Sequence, residues 1–188
     1  MPPTKLMLVR HGEKQPDAGP PPYGVDADGN ADKHSLSVRG WQRAGALVPF
    51  FKQRLSPNVD VPDAIYASKV GAVVLMEDGH DVSKSLRPQQ TVTPLADALG
   101  LASGVQAPFA VSEEARLVDH LRQHEDGTVL VAWEHHHIPD IATAFNPAAP
   151  KTWDGARFDL VWILTRLPDG TYDFAAVAQS LLARDGAV

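Results

Sequence analysis

The sequence contains no cysteine. That absence excludes a disulfide framework, thiolate metal sites and cysteine nucleophiles together, and it fits a reducing compartment. Long apolar runs are missing too. Leu6-Met7-Leu8-Val9, ahead of Arg10, is too short for the core of a signal peptide, and nothing later approaches the length of a membrane span. Nor are basic residues clustered: 17 Lys and Arg lie scattered among 23 Asp and Glu, a formal net charge of −6. Affinity for a phosphate backbone rests on such clusters, so nucleic acid is not expected as a partner. These absences together predict a soluble cytoplasmic protein with neither membrane nor nucleic-acid partners. An anionic ligand would have to be held by a few focused cations rather than by the surface field.

What is present is ordinary for a globular chain. The 188 residues, 44% apolar and 21% charged, suit one domain, residues 1–188, with a sizeable core. Lys5–Arg10 reads as a strand that is apolar throughout Leu6–Val9, a pattern that requires cover on both faces. Pro16–Lys33 is a Pro/Gly/Asp-rich loop. Ser37 is placed to cap a helix carrying Trp41, Ala44, Leu47, Val48 and Phe51 at helical spacing. Ala64–Ala67 is a short strand, and Lys69–Lys84 is ambiguous, with Val73–Met76 either a strand or a buried loop. A helix from Leu86 to Leu99 closes at Gly100. Ser112 caps a third helix with Glu113 and Glu114 in its first turn and Leu117, Val118 and Leu121 on its apolar face. Thr128–Trp133 is a second continuously apolar strand, followed by a helix over Ile138–Phe145. A hairpin over Phe158–Thr165 and Tyr172–Val177 turns at Pro168-Asp169-Gly170. Strands alternating with helices predict a three-layer α/β/α sandwich on a mostly parallel sheet.

In such sheets ligands bind beyond the carboxyl ends of the strands. Two buried strands end there unusually: the first in Arg10-His11-Gly12, the other in Glu134-His135-His136-His137. An arginine directly after four apolar residues is costly to desolvate without an anionic partner. Arg87 sits at a helix start, where a cation opposes the macrodipole and a bound anion would account for it. Three consecutive histidines diverge on either a helix or a strand and lack HExxH-type spacing, so no metal site is expected, and no cofactor.

Leu8-Val9-Arg10-His11-Gly12-Glu13, Leu36-Ser37-Val38-Arg39-Gly40-Trp41-Gln42-Arg43-Ala44, Ile65-Tyr66-Ala67-Ser68 and Arg87-Pro88-Gln89-Gln90-Thr91 together resemble the histidine phosphatase superfamily, in that family's order. The resemblance implies a phosphoglycerate mutase-like fold. It implies a phosphatase acting on a small phosphorylated molecule or a phosphoprotein, through a phosphohistidine on His11. Arg10, Arg87 and a second histidine would grip the phosphoryl group, with Gly12, Glu13 and Ser68 lining the substrate site. His135 is the expected second histidine, with His136 and His137 as alternatives. Gap-free matching of the Ile138-Pro139 step would instead put Glu134 at that position. A carboxylic acid with a raised pKa is expected as proton donor: Glu113 first, with Glu114 and Glu134 as alternatives. A phosphoglycerate mutase-type transferase and a non-catalytic module with the same pocket are the competing functions.

Overall fold

A computed structural model describes residues 1–15, 24–71 and 84–186. Six strands form one sheet: β1 (Lys5–Arg10), β2 (Ala64–Ala67), β3 (Val105–Gln106), β4 (Thr128–Trp133), β5 (Leu160–Arg166) and β6 (Tyr172–Ala178), in the order β3-β2-β4-β1-β5-β6. Pairings β1 with β4, β4 with β2 and β2 with β3 are parallel, while β5 and β6 add an antiparallel edge. The sheet is therefore mostly parallel, as the alternation of elements predicts.

Four helices cover it: α1 (Val38–Lys52), α2 (Arg87–Leu99), α3 (Glu114–His124) and α4 (Ile138–Phe145). Successive strand residues face opposite sides, so each buried strand serves two cores. Met7 and Val9 of β1, with Leu130 and Ala132 of β4, pack beside Leu47, Phe50 and Phe51 of α1 and Val92 and Leu95 of α2. Leu6, Leu8, Val129 and Val131 meet Leu117 and Leu121 of α3 and Ile138 and Ile141 of α4. This is the three-layer sandwich, and it explains why β1 and β4 lack polar alternation. Among the described residues no helix is long and apolar enough to cross a membrane.

Strands β1, β2 and β4 and helix α4 have the bounds their sequence patterns imply. Ser37 caps α1 by accepting from the Gly40 N–H, and Gly100 closes α2 in the left-handed conformation at φ 65°. Differences lie at ends and edges. Helix α2 begins at Arg87, and the final hairpin strands are shifted toward Arg166 and Ala178. Ser112 is not the cap of α3. It adopts φ 81°, and its N–H donates to Glu114 Oε1 at 2.9 Å, so the helix starts at Glu114. The edge strand β3 is only two residues long and left no periodicity to read. The Val73–Met76 segment lies outside the described residues, as does part of the Pro16–Lys33 loop; Val25 and Ala31 form a bridge in the remainder.

Candidate active site

The β1/β4 register places Arg10 opposite Trp133, and the His11 N–H donates to the Trp133 carbonyl at 3.2 Å. His11 and Glu134 thus leave the sheet side by side at its carboxyl edge. Strand β2, paired with Ala67 opposite Ala132, brings buried Ser68 to the same edge, where its carbonyl accepts from Gln89 Nε2 at 3.1 Å.

His11 is only 5% exposed. Its Nδ1 is 2.7 Å from the Gly12 carbonyl oxygen. A carbonyl can only accept, so the ring proton sits on Nδ1 and the lone pair on Nε2. Burial, reinforced by the charges of Arg10 and Arg87, lowers the imidazole pKa to about 3. His11 is consequently neutral at physiological pH, as a nitrogen nucleophile has to be.

Arg10 is 4% exposed and packs its guanidinium 3.7 Å from the centroid of the Phe158 ring. Nη1 donates to the Gly155 carbonyl at 2.5 Å, and Nε has no hydrogen-bond partner among the described residues. Burial brings this guanidinium down to about 10, which still leaves it charged. A desolvated cation with an unmatched donor is built to receive an anion.

Arg87 is held by three oxygens from its surroundings: Nη2 by the Lys33 carbonyl at 2.7 Å, Nε by that of Ser35 at 3.2 Å, and Nη1 by Ser85 Oγ at 3.4 Å. Its charge reaches the pocket, because it depresses the pKa of both Arg10 and His11.

The three histidines after β4 separate. His135 Nδ1 lies 2.5 Å from Glu134 Oε1, while a Cβ placed on Gly155 would meet His135 Nε2 at 3.4 Å. Since Gly155 also binds Arg10, His135 is the histidine brought against the arginine. His136 is exposed, and its backbone N–H donates to Glu134 Oε2 at 2.8 Å. His137 points away to Glu114 Oε1 at 3.4 Å and Asp140 Oδ2 at 3.7 Å; the Glu114 contact raises its pKa. Glu134, Phe158 and Gly155 thus stand around the pair Arg10 and His11. Neither Phe158 nor Gly155 carries a sequence signal of its role beyond a turn at Asp154-Gly155.

Two expectations are corrected. Glu13 does not offer its carboxylate to a substrate: Oε1 receives Arg39 Nε at 3.0 Å and Arg43 Nη2 at 2.7 Å, and Oε2 receives Arg43 Nε at 3.0 Å. Glu113 is not an acid with a raised pKa, because the Ala110 N–H donates to it and Arg116 pairs with it, which lowers its pKa. Nor do the alternatives supply one. Glu114 is buried, but its contacts with His137 and the Trp133 Nε1–H hold it low. Burial is the largest single influence on Glu134 and would raise it, yet the contacts with His135 and His136 together outweigh it and hold the carboxyl at about 2.

Two sets of donor atoms, Glu134/His135/His136 and Glu114/His137/Asp140, lie within 4.8 Å of one another. In each set imidazole nitrogens approach carboxylate oxygens, although neither His135 Nδ1 nor His137 Nδ1 has a hydrogen-bond partner among the described residues.

The pH dependence of stability follows from His11. Its folded pKa is depressed, so the unfolded chain takes up the proton first, and stability falls as pH drops from 6.5 toward 3. At pH 5 the loss is about 2 kcal/mol, or roughly 4–8 °C in Tm for a domain of this size. Glu134 acts in the same direction below its ordinary value, and His137, being raised, has the opposite slope above 6.5. Thermal melts at pH 6.5 and 5.0 are expected to show this drop in wild type and a much smaller one in His11→Gln. Equal drops would locate the acid sensitivity elsewhere.

No family model matches the sequence, and no curated protein matches it. Solved structures do. The protein histidine phosphatase SixA, complexed with tungstate, superposes with a TM-score of 0.58 at 16% identity, over 93% of this chain and 97% of that one. Phosphoglycerate mutase from Plasmodium falciparum gives 0.54 at 12% identity, over 91% and 87%. A mycobacterial glucosyl-3-phosphoglycerate phosphatase gives 0.54 at 12% identity, over 96% and 100%. The class defined by sheet order and layers is therefore the α/β/α sandwich of these enzymes. More narrowly, the chain has a phosphoglycerate mutase-like fold.

Proposed function

We propose that residues 1–188 form one histidine phosphatase domain that hydrolyses phosphomonoesters without a metal. The observation that carries this reading is a neutral, buried His11 whose lone pair is directed by the Gly12 carbonyl, next to a desolvated Arg10. His11 Nε2 attacks phosphorus; the N–P bond forms as the P–O ester bond breaks, and the leaving oxygen takes a proton. Water then attacks the phosphohistidine, releasing phosphate and restoring the imidazole. Arg10, Arg87 and His135 hold the equatorial oxygens, whose charge the transition state must stabilise. In this reading Glu134 keeps His135 in place through the close approach of its Oε1 to the imidazole Nδ1, 2.5 Å away. The fold shared with phosphatases supports the assignment.

Because the glutamates near the pocket are held ionised, leaving groups that need little protonation are favoured. The test is phosphate release from p-nitrophenyl phosphate with EDTA present, compared with a simple alkyl phosphate. The aryl ester is expected to turn over at least tenfold faster, with an acid-labile, alkali-stable phosphoenzyme in quenched samples. With a monophosphate that carries a second hydroxyl, isomerised product without free phosphate would favour the mutase, and phosphate binding without turnover would favour the non-catalytic module.

A further inference from the structure

Arg43 of α1 is among the most deeply enclosed side chains of the protein, 1% exposed, yet it lies outside the pocket. Two carboxylates clasp it. Glu13, two residues after His11, takes Arg43 Nε and Nη2 on its two oxygens, at 3.0 and 2.7 Å. Asp185 receives Nη2 on Oδ1 at 2.7 Å and Nη1 on Oδ2 at 3.1 Å, and Gln179 Oε1 accepts from Nη1 at 2.8 Å. Arg39 bridges the same pair, 3.0 Å from Glu13 and 3.2 Å from Asp185. Asp185 is itself fixed, since the N–H groups of Leu181 and Leu182 donate to Oδ2 at 2.9 and 3.0 Å. Two arginines and two carboxylates thus balance in charge, with Arg43 and Asp185 enclosed and Arg39 at the solvent edge.

The network reaches the reacting nitrogen through the backbone. The Glu13 carbonyl accepts from the Ser37 N–H and Oγ–H, both at 2.9 Å, while the Gly12 N–H donates to Thr91 Oγ1 at 2.7 Å. Between these anchors lies the Gly12 carbonyl, the group that holds the proton on His11 Nδ1. We infer that Asp185 is a positioning residue for His11, acting through Arg43 and Glu13 to fix the Gly12 carbonyl and with it the tautomer and aim of the imidazole. This rests on the reading of His11 as nucleophile. The mechanical cause is simple: without Asp185, Arg43 and Arg39 share one carboxylate, and a buried arginine left short of partners pulls on the loop that carries Glu13.

The experiment compares Asp185→Ala, Asp185→Asn and Asp185→Glu with wild type. Turnover of p-nitrophenyl phosphate is read as kcat and KM, and the His11 ring by ¹⁵N NMR, its signals assigned against His11→Ala. Asp185→Ala is expected to lose between about ten- and a hundredfold in kcat with KM changed less than threefold, as for a misaimed catalytic group. Its His11 signals should shift from a single Nδ1–H pattern toward a tautomer mixture. Asp185→Glu should recover most of both. Should Asp185→Ala fail to fold, Asp185→Asn keeps the shape and removes the charge, and is expected to give the same changes in smaller measure. A lower Tm with unchanged kcat and an unchanged His11 pattern overturns the inference and leaves a structural clasp only. The NMR arm needs no turnover, so an inactive wild type with a tautomer shift in Asp185→Ala would sink the phosphatase reading and spare the positioning role.

Discussion

Replacing His11 with alanine is expected to lower phosphate release from p-nitrophenyl phosphate by about 10⁴-fold or more, the scale of losing a covalent nucleophile. Burial, the Gly12 carbonyl and the neighbouring arginines hold this imidazole neutral with Nε2 unprotonated. No other described histidine combines those conditions: His135 has a carboxylate on its Nδ1, His136 is exposed, and His137 is drawn to Glu114. Binding of inorganic phosphate is expected to survive within a few-fold, because Arg10, Arg87 and His135 remain. Free imidazole added to His11→Ala should restore part of the rate by occupying the space the side chain leaves. Retention of a tenth of the wild-type rate would mean that the nucleophile lies elsewhere.

Gly40→Ala is expected to damage both stability and turnover. A Cβ there would lie 2.5 Å from the Glu13 carbonyl oxygen and 3.0 Å from the Glu13 nitrogen, both backbone atoms of the nucleophile loop. Helix α1 would have to move off that loop, at a cost of about 1–3 kcal/mol for overpacking. Turnover should fall by a further ten- to hundredfold, roughly, as His11 loses its aim. Gly45 is the control on the same helix. Its Cβ would meet nothing within 4 Å, so Gly45→Ala should stabilise by about 0.4–1 kcal/mol and leave kcat unchanged. Urea unfolding and steady-state kinetics on the two variants decide the matter, and equal behaviour would refute the packing argument.

The same contact explains how far the site was legible in sequence. The resemblance places Gly40 and Glu13 in conserved-order segments without saying why; the structure makes them one contact, helix against loop. Apolar runs such as Leu6–Val9 and Val129–Ala132 announced strands buried on both faces, and the strand ends announced which residues would meet. Position along the chain could not say which histidine turns inward, since three neighbours on one turn differ only in the partner each finds: Glu134, solvent or Glu114. Glu113 and Glu114 were equally placed at a helix start; a local i,i+3 pairing turns one out to Arg116, while a tertiary contact turns the other in to Trp133. Phe158 and Asp185 were silent because their partners, Arg10 and Arg43, lie more than a hundred residues away. The short β3 lacked enough residues to show a period.

Strand β1 finds its neighbours late. It pairs on one side with Thr128–Trp133 and on the other with Val161–Thr165, so this strand waits for more than a hundred further residues before either flank is filled. Such distant pairings carry a large loop-closure cost and slow the search for the native arrangement. They also make the pocket all-or-none during synthesis. A nascent chain that ends before Thr128 has Arg10 and His11 but neither the strand that flanks them nor the Trp133 carbonyl that receives the His11 N–H. The proposed nucleophile and anion grip therefore come into being together, at the moment the sheet closes.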